Sequence, residues 1–448
     1  MGTLTGDQSA NVSGTKYIDS RCIVDFRPND DWKGEYGFDW FRRGDVIENI
    51  NGAIEASKYT EIVGKYEPED PDHIDSGELK HKIGNNDYVH KLAYDEYTAV
   101  RVIGTINRVY LVPYISLYYM SLNKWEEGGK RLLPNAMLYQ KEGIYYQHDF
   151  CKSEVTIKVL IDAKNINKIE FKCDNSLSVK PDILTNIADG KSTKTLTIRH
   201  NYAFDDGHQS IKAFAYHKDG TTITFAGQVN VVKCNPKIVN ICFVNVNIQR
   251  NRSISSGIPS NDFLINQQDN LKRFFSQAHI IPQIMSKSLN LENDSIAEHL
   301  TVRTISNQGR NYRINAVLKY TIDENKEYIG TKLERWFNES YPSLANAYKV
   351  FFIGEYGLRV TNGRDYYLGG HANGIPSKGL VVYKDPGDSV VCHEILHCFG
   401  LWHSFSNKSK HTFVKRKTNN IMDYSKDTIS LWRWQWNVIR NASDVISI

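Results

Sequence analysis

The chain has 448 residues, of which 41% are hydrophobic, 12% aromatic and 24% charged, and its net charge is +4. This composition excludes wholesale disorder and predicts about three domains in a multidomain α+β protein. The interspersed charges argue against nucleic-acid binding, and the longest apolar stretch, 110–120, falls short of the roughly 18 to 20 residues that membrane insertion needs.

The first predicted domain, residues 1–148, is β-rich, with strand-like runs at 99–103 and 109–117. Its Asp/Pro/Gly-rich insert, 66–77, predicts an exposed loop. The first residues lack both the basic and the apolar regions of a Sec signal peptide. The protein is therefore expected to stay in the cytoplasm or to leave by a signal-less route, unless the sequence has been shortened.

The segment 31–45, DWKGEYGFDWFRRGD, interleaves five aromatic residues with charges. It is similar to N-terminal segments of proteins associated with bacterial contractile, type VI-like secretion. The resemblance implies a secretion-apparatus partner and export without a Sec signal. The alternative is that Phe38, Trp40 and Phe41 are core residues of a small β domain. Cys22 as an inhibitory metal ligand is disfavoured, because its surroundings do not match the motif of such cysteine switches.

The second predicted domain, residues 149–235, alternates apolar and polar residues in several runs separated by Asn/Asp/Gly turns. This pattern is typical of a small antiparallel sandwich, and its length suits an immunoglobulin-like β-sandwich.

The third predicted domain, residues 236–448, opens with an apolar strand at 238–248. Helical patterns follow at 262–277 and 328–338, and a buried strand is predicted at 348–354. Strands that alternate with helices indicate an α/β domain.

Residues 388–404, DSVVCHEILHCFGLWHS, contain the pattern HExxHxxGxxH. Asp388 or Ser389 can cap a helix that runs to Gly400. On this helix His393 and His397 lie one turn apart, so both imidazoles can reach a single Zn²⁺ ion.

Glu394 follows the first of these histidines and is placed to hold a water rather than to ligate the metal. Gly400 can adopt a left-handed conformation that turns the chain back, which lets His403 provide a third ligand. Three nitrogen ligands with an open fourth position are typical of catalytic zinc.

The opposite side of the same helix carries apolar residues and two cysteines, which we interpret as the buried back of the helix rather than as ligands. These residues are Cys392, Ile395, Cys398 and Phe399.

The motif resembles that of the metzincin clan of zinc peptidases. The resemblance implies that Met422, in NNIMDYS, lies in a Met-containing turn beneath the metal, and that Tyr424 stabilises the oxyanion. It also implies that 366–376 is an edge strand above the cleft and that the 404–421 loop lines the pocket for the residue after the scissile bond. His371, on this strand, is interpreted as a rim or structural residue rather than as a fourth ligand.

Two further segments have ordinary interpretations. The apolar run 429–440 predicts a buried C-terminal helix that closes the core, and a Trp-lined ligand site is the alternative. The basic run 408–417 is interpreted as a solvated loop.

The sequence thus predicts a zinc-dependent endopeptidase with Glu394 as general base, acting on a protein or peptide as a secreted bacterial effector. The alternative is a non-catalytic zinc-binding adaptor or adhesin that uses the same fold to bind proteins.

Overall fold

The computed structural model contains five α-helices and many β-strands in the part of the chain that it describes. The helices are α1 (Asn86–Glu96), α2 (Asn261–Ser276), α3 (Ile329–Ser340), α4 (Val390–Cys398) and α5 (Arg433–Arg440), with short 3₁₀ helices at Ala297–His299 and Pro342–Leu344. None of the described helices is long and apolar enough to cross a membrane. The described residues are 20–41, 46–50, 53–55, 62–67, 80–81, 86–102, 108–117, 137–141, 144–148, 153–201, 207–233, 236–250, 253–257, 259–292, 296–307, 310–318, 327–361, 364–384, 386–426 and 428–447.

Two sheets share one core in the first half of the chain. Along Glu154–Lys164 the buried residues alternate with more exposed ones, which is the period of a strand with one covered face. The four-stranded sheet has the order Arg21–Pro28, Glu154–Lys164, Gly190–His200 and Leu177–Lys180. The six-stranded sheet has the order Ile183–Thr185, Ile166–Cys173, His208–His217, Ile223–Lys233, Tyr114–Leu117 and Phe38–Asp39.

Strands from before residue 149 complete both of these sheets. Arg21–Pro28 pairs antiparallel with Glu154–Lys164, and Tyr114–Leu117 pairs parallel with Ile223–Lys233. The strand pairing thus crosses the boundary predicted between 1–148 and 149–235. Alternation along a sequence identifies a strand but not its partner, so this pairing could not be inferred from the pattern.

A seven-stranded mixed sheet organises residues 236–448, which we call the C-terminal half. Its order is Ser253–Ser256, Lys237–Arg250, Tyr348–Ile353, Gly379–Val382 and Gly370–Ala372, and Ile280–Glu292 and Ile446–Ser447 also pair with Lys237–Arg250. Helices α2 and α4 pack on one face and α3 on the other. All six residues of Tyr348–Ile353 are buried, because this parallel strand is covered on both sides.

The remaining strands form smaller sheets. One four-stranded sheet comprises Leu300–Asn307, Arg310–Leu318, Tyr356–Thr361 and Arg364–Leu368, and another comprises Ala53–Glu55, Val46–Ile50, Arg108–Val112 and Thr98–Val102. Two-stranded pairs are Val63–Gly64 with Thr412–Phe413, Tyr66–Glu67 with Lys80–His81, and Met137–Lys141 with Ile144–His148. The chain is therefore a β-rich, multidomain α+β protein.

Residues from before position 149 also enter the core of the C-terminal half. Phe41, Val89 and Leu92 are buried in one cluster with apolar residues of α2, α4 and α5. In the predicted loop 66–77, Tyr66 is instead a buried strand residue, and positions 68–77 lie outside the described residues. The high content of Asp, Pro and Gly in this segment predicts a loop, but it does not reveal that the Tyr66 ring packs on residues far away in the sequence.

The last helix is shorter than the predicted 429–440. It begins at Arg433, because Ser430 forms a β-bridge with Asn420 and Trp432 has an extended backbone. The tryptophans of this segment are buried in the core of the C-terminal half, namely Trp432, Trp434 and Trp436.

Candidate metal centre

Helix α4 presents the predicted motif at the edge of the mixed sheet. It ends at Cys398, two residues before the predicted end, and Gly400 has φ +98°, the left-handed conformation expected of a glycine that terminates a helix. Ser389 is the N-cap residue, but its side chain makes no capping hydrogen bond. At the helix start the side-chain oxygen of Gln267, in α2, instead accepts a hydrogen bond of 3.3 Å from the backbone N–H of Val391.

The three predicted ligands converge. His403 Nε2 lies 3.1 Å from His393 Nε2 and 3.1 Å from His397 Nε2. Together they form a His₃ cluster whose ligand atoms all lie within 4.8 Å of one another. Nitrogen ligands placed tetrahedrally at about 2.0–2.1 Å from Zn²⁺ are about 3.3 Å apart, so the observed spacing fits one ion.

Backbone carbonyls set the tautomers of two of the ligands. The Nδ1 atom of His393 lies 2.8 Å from the Ile421 carbonyl oxygen, and that of His397 lies 2.6 Å from the Leu401 carbonyl oxygen. A neutral imidazole that donates from Nδ1 presents a lone pair at Nε2, which is the arrangement of most metal-binding histidines.

The donor set itself favours a cation. His393 Nε2 and His397 Nε2 both face His403 Nε2, and their own protons are used at Nδ1. A neutral His403 has at most one proton at Nε2, which can be donated to only one of the other two nitrogens. The remaining pair of nitrogens then face each other with lone pairs, which repel unless a positive ion lies between them. Neutral imidazole nitrogens suit zinc, and the residues present fit this ion.

Glu394 lies beside the cluster without joining it. Its Oε2 atom accepts a hydrogen bond of 2.8 Å from the backbone N–H of Ala372, which belongs to the edge strand Gly370–Ala372. The carboxylate is therefore held between the helix and the edge strand, on a half-buried residue that directly follows His393. This edge strand lies within the predicted stretch 366–376, whose first residues belong to the strand Arg364–Leu368.

Met422 and Tyr424 lie against the centre from the segment that follows it. Met422 is fully buried, and its carbonyl oxygen accepts a hydrogen bond of 2.9 Å from the backbone N–H of Ser404, next to the third ligand. The ring of Tyr424 lies 4.9 Å from that of His403 and 5.6 Å from that of His393. Tyr424 is 45% exposed, so the residue lies on the solvent side of the centre.

Sequence reasoning missed two side chains of this site. Phe405 stacks on His403 with ring centroids 4.6 Å apart and fixes the plane of that ligand. Asp423 accepts hydrogen bonds from the backbone N–H groups of Arg416 and Tyr424, which fastens the segment around Met422. An aromatic residue two positions after a ligand is a weak signal, and the role of Asp423 depends on a turn that spacing alone does not reveal.

Other residues considered as ligands lie elsewhere. Cys392 and Cys398 face the core, where burial raises the pKa of the Cys398 thiol to about 12. Cys22 pairs with Ala163 in the four-stranded sheet, and burial raises its pKa to about 12 as well. His371 is buried and stacks on Tyr383.

Comparisons with known proteins do not assign this chain to a family. It matches no known family model and no curated protein. Among solved structures it is similar to a family 123 glycoside hydrolase from Clostridium perfringens, studied for glycolipid glycan hydrolysis, at 9% identity and a TM-score of 0.14. That similarity covers 50% of this chain and 46% of the hydrolase, so the chain spans less than half of its length. At this TM-score the likeness carries no argument about fold or function.

Proposed function

We propose that the protein is a zinc-dependent endopeptidase of a metzincin-like kind. The observation that carries the proposal is the convergence of three imidazole Nε2 atoms beside a glutamate that follows the first of them on the same helix. A structural zinc site needs only its ligands and no general base, whereas hydrolysis needs a base such as this glutamate beside the metal. His393, His397 and His403 would hold the ion.

A bound zinc ion would supply Lewis acidity, which makes water more acidic and a peptide carbonyl more electrophilic. Glu394 takes the proton of the water that attacks the carbonyl carbon and passes it to the amine when the C–N bond breaks. Its hydrogen bond from the Ala372 N–H holds the carboxylate oxygen in place for this transfer. The hydroxyl of Tyr424, whose ring lies 4.9 Å from that of His403, donates to the developing oxyanion.

The substrate side of the proposal rests on the edge strand. Gly370–Ala372 pairs antiparallel with Gly379–Val382 and is the last strand of its sheet. The Ala372 N–H of this strand is bonded to Glu394, so an extended peptide would add to the edge through its other main-chain groups, which favours protein or peptide substrates. The conformation of the bound peptide then places one carbonyl beside Glu394.

The first half of the chain is proposed to serve delivery. On this hypothesis, residues 1–148 dock a secretion apparatus of the type VI-like kind and export proceeds by that route, and residues 149–235, with the strands Arg21–Pro28 and Tyr114–Leu117 that complete their sheets, form an immunoglobulin-like sandwich. The second candidate function is a non-catalytic zinc-binding adaptor or adhesin. The position of Glu394 between helix and edge strand favours the peptidase.

The test is mass-spectrometric cleavage of a diverse peptide mixture by zinc-loaded protein, with Glu394→Gln alongside. We expect the variant to lose about 10²- to 10⁴-fold in rate while its zinc content and thermal unfolding stay unchanged. Glu339→Gln, an exposed change in α3, is the matched control and retains full activity. Cuts that persist in Glu394→Gln would overturn the role of Glu394 as general base. Folded zinc-loaded wild type that makes no cuts would favour the adaptor.

A further inference from the structure

The loop after the third ligand is strongly basic. Between Ser404 and Lys426 the sequence has six basic residues and one acidic residue, Asp423. Lys408, Lys410, Arg416 and Lys417 are exposed, and Lys415 is half-buried. The loop therefore gives one side of the metal centre a positive field.

Part of this charge is compensated within the fold. Lys410 lies 2.5 Å from the buried Glu96 carboxylate. Asp423 is occupied by the loop itself, since it accepts from the backbone N–H groups of Arg416 and Thr418 and from the Thr418 hydroxyl. The carboxylate of Asp423 thus stabilises the loop conformation.

Lys415 brings one charge next to the reacting centre. Its ammonium lies 4.8 Å from the ring centroid of Tyr424 and 5.3 Å from that of Phe405. Both rings contact His403, at 4.9 Å and 4.6 Å between centroids. The rings of Tyr424 and Phe405 therefore separate the Lys415 ammonium from the metal ligand His403. Lys415 is half-buried, so its charge is screened less than it would be in water.

Contacts from the first half of the chain fix the backbone of Lys415. Its N–H donates to the Tyr66 hydroxyl at 3.1 Å. The side-chain amide of Asn407 accepts from the Tyr66 N–H and donates to the Tyr66 carbonyl oxygen, both at 2.9 Å. Val63–Gly64 pairs with Thr412–Phe413. The backbone of the loop is thus held on both sides of Lys415, and the ammonium itself is positioned by the rings of Tyr424 and Phe405.

We propose that Lys415 is a specificity-determining residue that selects substrates with an acidic side chain on the residue after the scissile bond. This inference rests on the proposed peptidase function. A Glu or Asp side chain that leaves the scissile bond toward the loop meets the ammonium of Lys415 between two aromatic rings. The same ammonium repels a basic side chain there, so discrimination comes from attraction and repulsion together.

The test uses two peptides that differ only at the residue after the scissile bond, Glu in one and Gln in the other, built on a site cut by wild type. We expect wild type to prefer the Glu peptide by about tenfold in kcat/KM, mainly through KM. Lys415→Met abolishes the preference, and Lys415→Glu reverses it. The control is Lys194→Glu, which makes the same charge change at an exposed position of the strand Gly190–His200. This variant should keep the preference for the Glu peptide.

A binding measurement separates this inference from the proposed function. Calorimetric titration of zinc-loaded Glu394→Gln should give a lower Kd for the Glu peptide, and added salt should reduce the difference. If wild type cleaves and binds both peptides equally, the role of Lys415 is wrong and the peptidase stands. If wild type cuts no peptide and Glu394→Gln binds none, both proposals fail. An unchanged preference in Lys415→Glu also overturns the inference.

Discussion

At the residue scale, the histidine cluster is the feature with the most direct chemical consequence. Replacing His403 with Ala removes one of three nitrogens that converge within 4.8 Å. We expect zinc affinity to fall by more than about 100-fold, because loss of a ligand exceeds the effect of losing an outer partner. Competition with a chromogenic chelator measures this.

The control for that variant is His371→Ala, a buried histidine that stacks on Tyr383 and lies outside the cluster. It should keep its zinc affinity even if its unfolding temperature falls. Equal losses of zinc in the two variants would contradict the assignment of the ligands.

The helix cysteines supply a second residue-scale prediction. Burial raises the pKa of Cys398 to about 12, and it also raises the pKa of Cys392. Since the thiolate is the reactive form, iodoacetamide at pH 8 should leave both residues unmodified in the folded protein and alkylate them after unfolding. Peptide mapping by mass spectrometry reads each site separately. Alkylation of Cys398 before unfolding would show that α4 is less tightly packed than its burial implies.

Much of the site follows from the sequence at this scale, and the reason is geometric. His393, His397 and Gly400 are related by helix periodicity and by the helix stop, both of which are local. The contact of Phe405 with His403 and the position of Lys415 depend instead on where a loop folds back. The spacing of residues along the sequence does not reveal where this loop folds back onto the histidines.

At the element scale, α1 contacts the C-terminal half through a buried carboxylate as well as through its apolar residues. Glu96 accepts from His411 Nε2 at 2.9 Å and lies 2.5 Å from Lys410 Nζ. Arg433, the first residue of α5, has a guanidinium nitrogen 3.8 Å from the same group. Burial alone would raise the pKa of Glu96, but the hydrogen bonds and charges of His411 and Lys410 outweigh burial and hold the pKa below its usual value.

Glu96→Gln should therefore destabilise the protein by about 1–3 kcal/mol at pH 7, because the variant leaves these donors facing a neutral amide. A lowered folded-state pKa adds stability above the unfolded pKa of about 4.3, and this stability is lost as pH falls through the folded value. The difference between wild type and variant should thus be complete above about pH 5 and shrink in more acidic solution.

Denaturant unfolding across this pH range measures the difference. Glu339→Gln, at an exposed position of α3, is the comparison and should leave stability unchanged. A difference for Glu96→Gln that grows on acidification would contradict the stabilising role of the ionised form.

Elements could be predicted where the pattern is strong and the partner is near in sequence. The helix expected at 262–277 is observed as Asn261–Ser276, and the strand expected at 348–354 as Tyr348–Ile353. The start of α5 was misplaced, because the bridge between Ser430 and Asn420 overrides the helical periodicity of the run. Tertiary pairing decided the conformation there.

At the scale of the whole molecule, the C-terminal half lacks a complete core of its own. Its main cluster contains six buried residues from before position 112, namely Phe41, Val63, Val89, Leu92, Ala93 and Leu111. Burial of large apolar side chains contributes about 1.5–3 kcal/mol each, so their joint loss is comparable to the whole stability of a typical domain, about 5–15 kcal/mol.

We therefore expect the isolated fragment 236–448 to lack cooperative unfolding and to aggregate, while the full chain unfolds cooperatively. Near-UV circular dichroism and size-exclusion chromatography of both proteins check this. A monomeric fragment with a sharp transition would show that the first half is dispensable for folding. The sequence does not reveal this shared core, because apolar patterns indicate which residues are buried but not which parts of the chain bury one another.

The pairing of Val63–Gly64 with Thr412–Phe413 has a consequence for biosynthesis. Tyr66 and Phe413 are 347 residues apart in the chain. At about 5–20 residues per second, a ribosome needs about 20–70 s to make the second partner after the first. Throughout that interval the early strand has an open edge, which is a template for wrong pairing. We expect the yield of folded protein to depend on what shields this segment while translation continues.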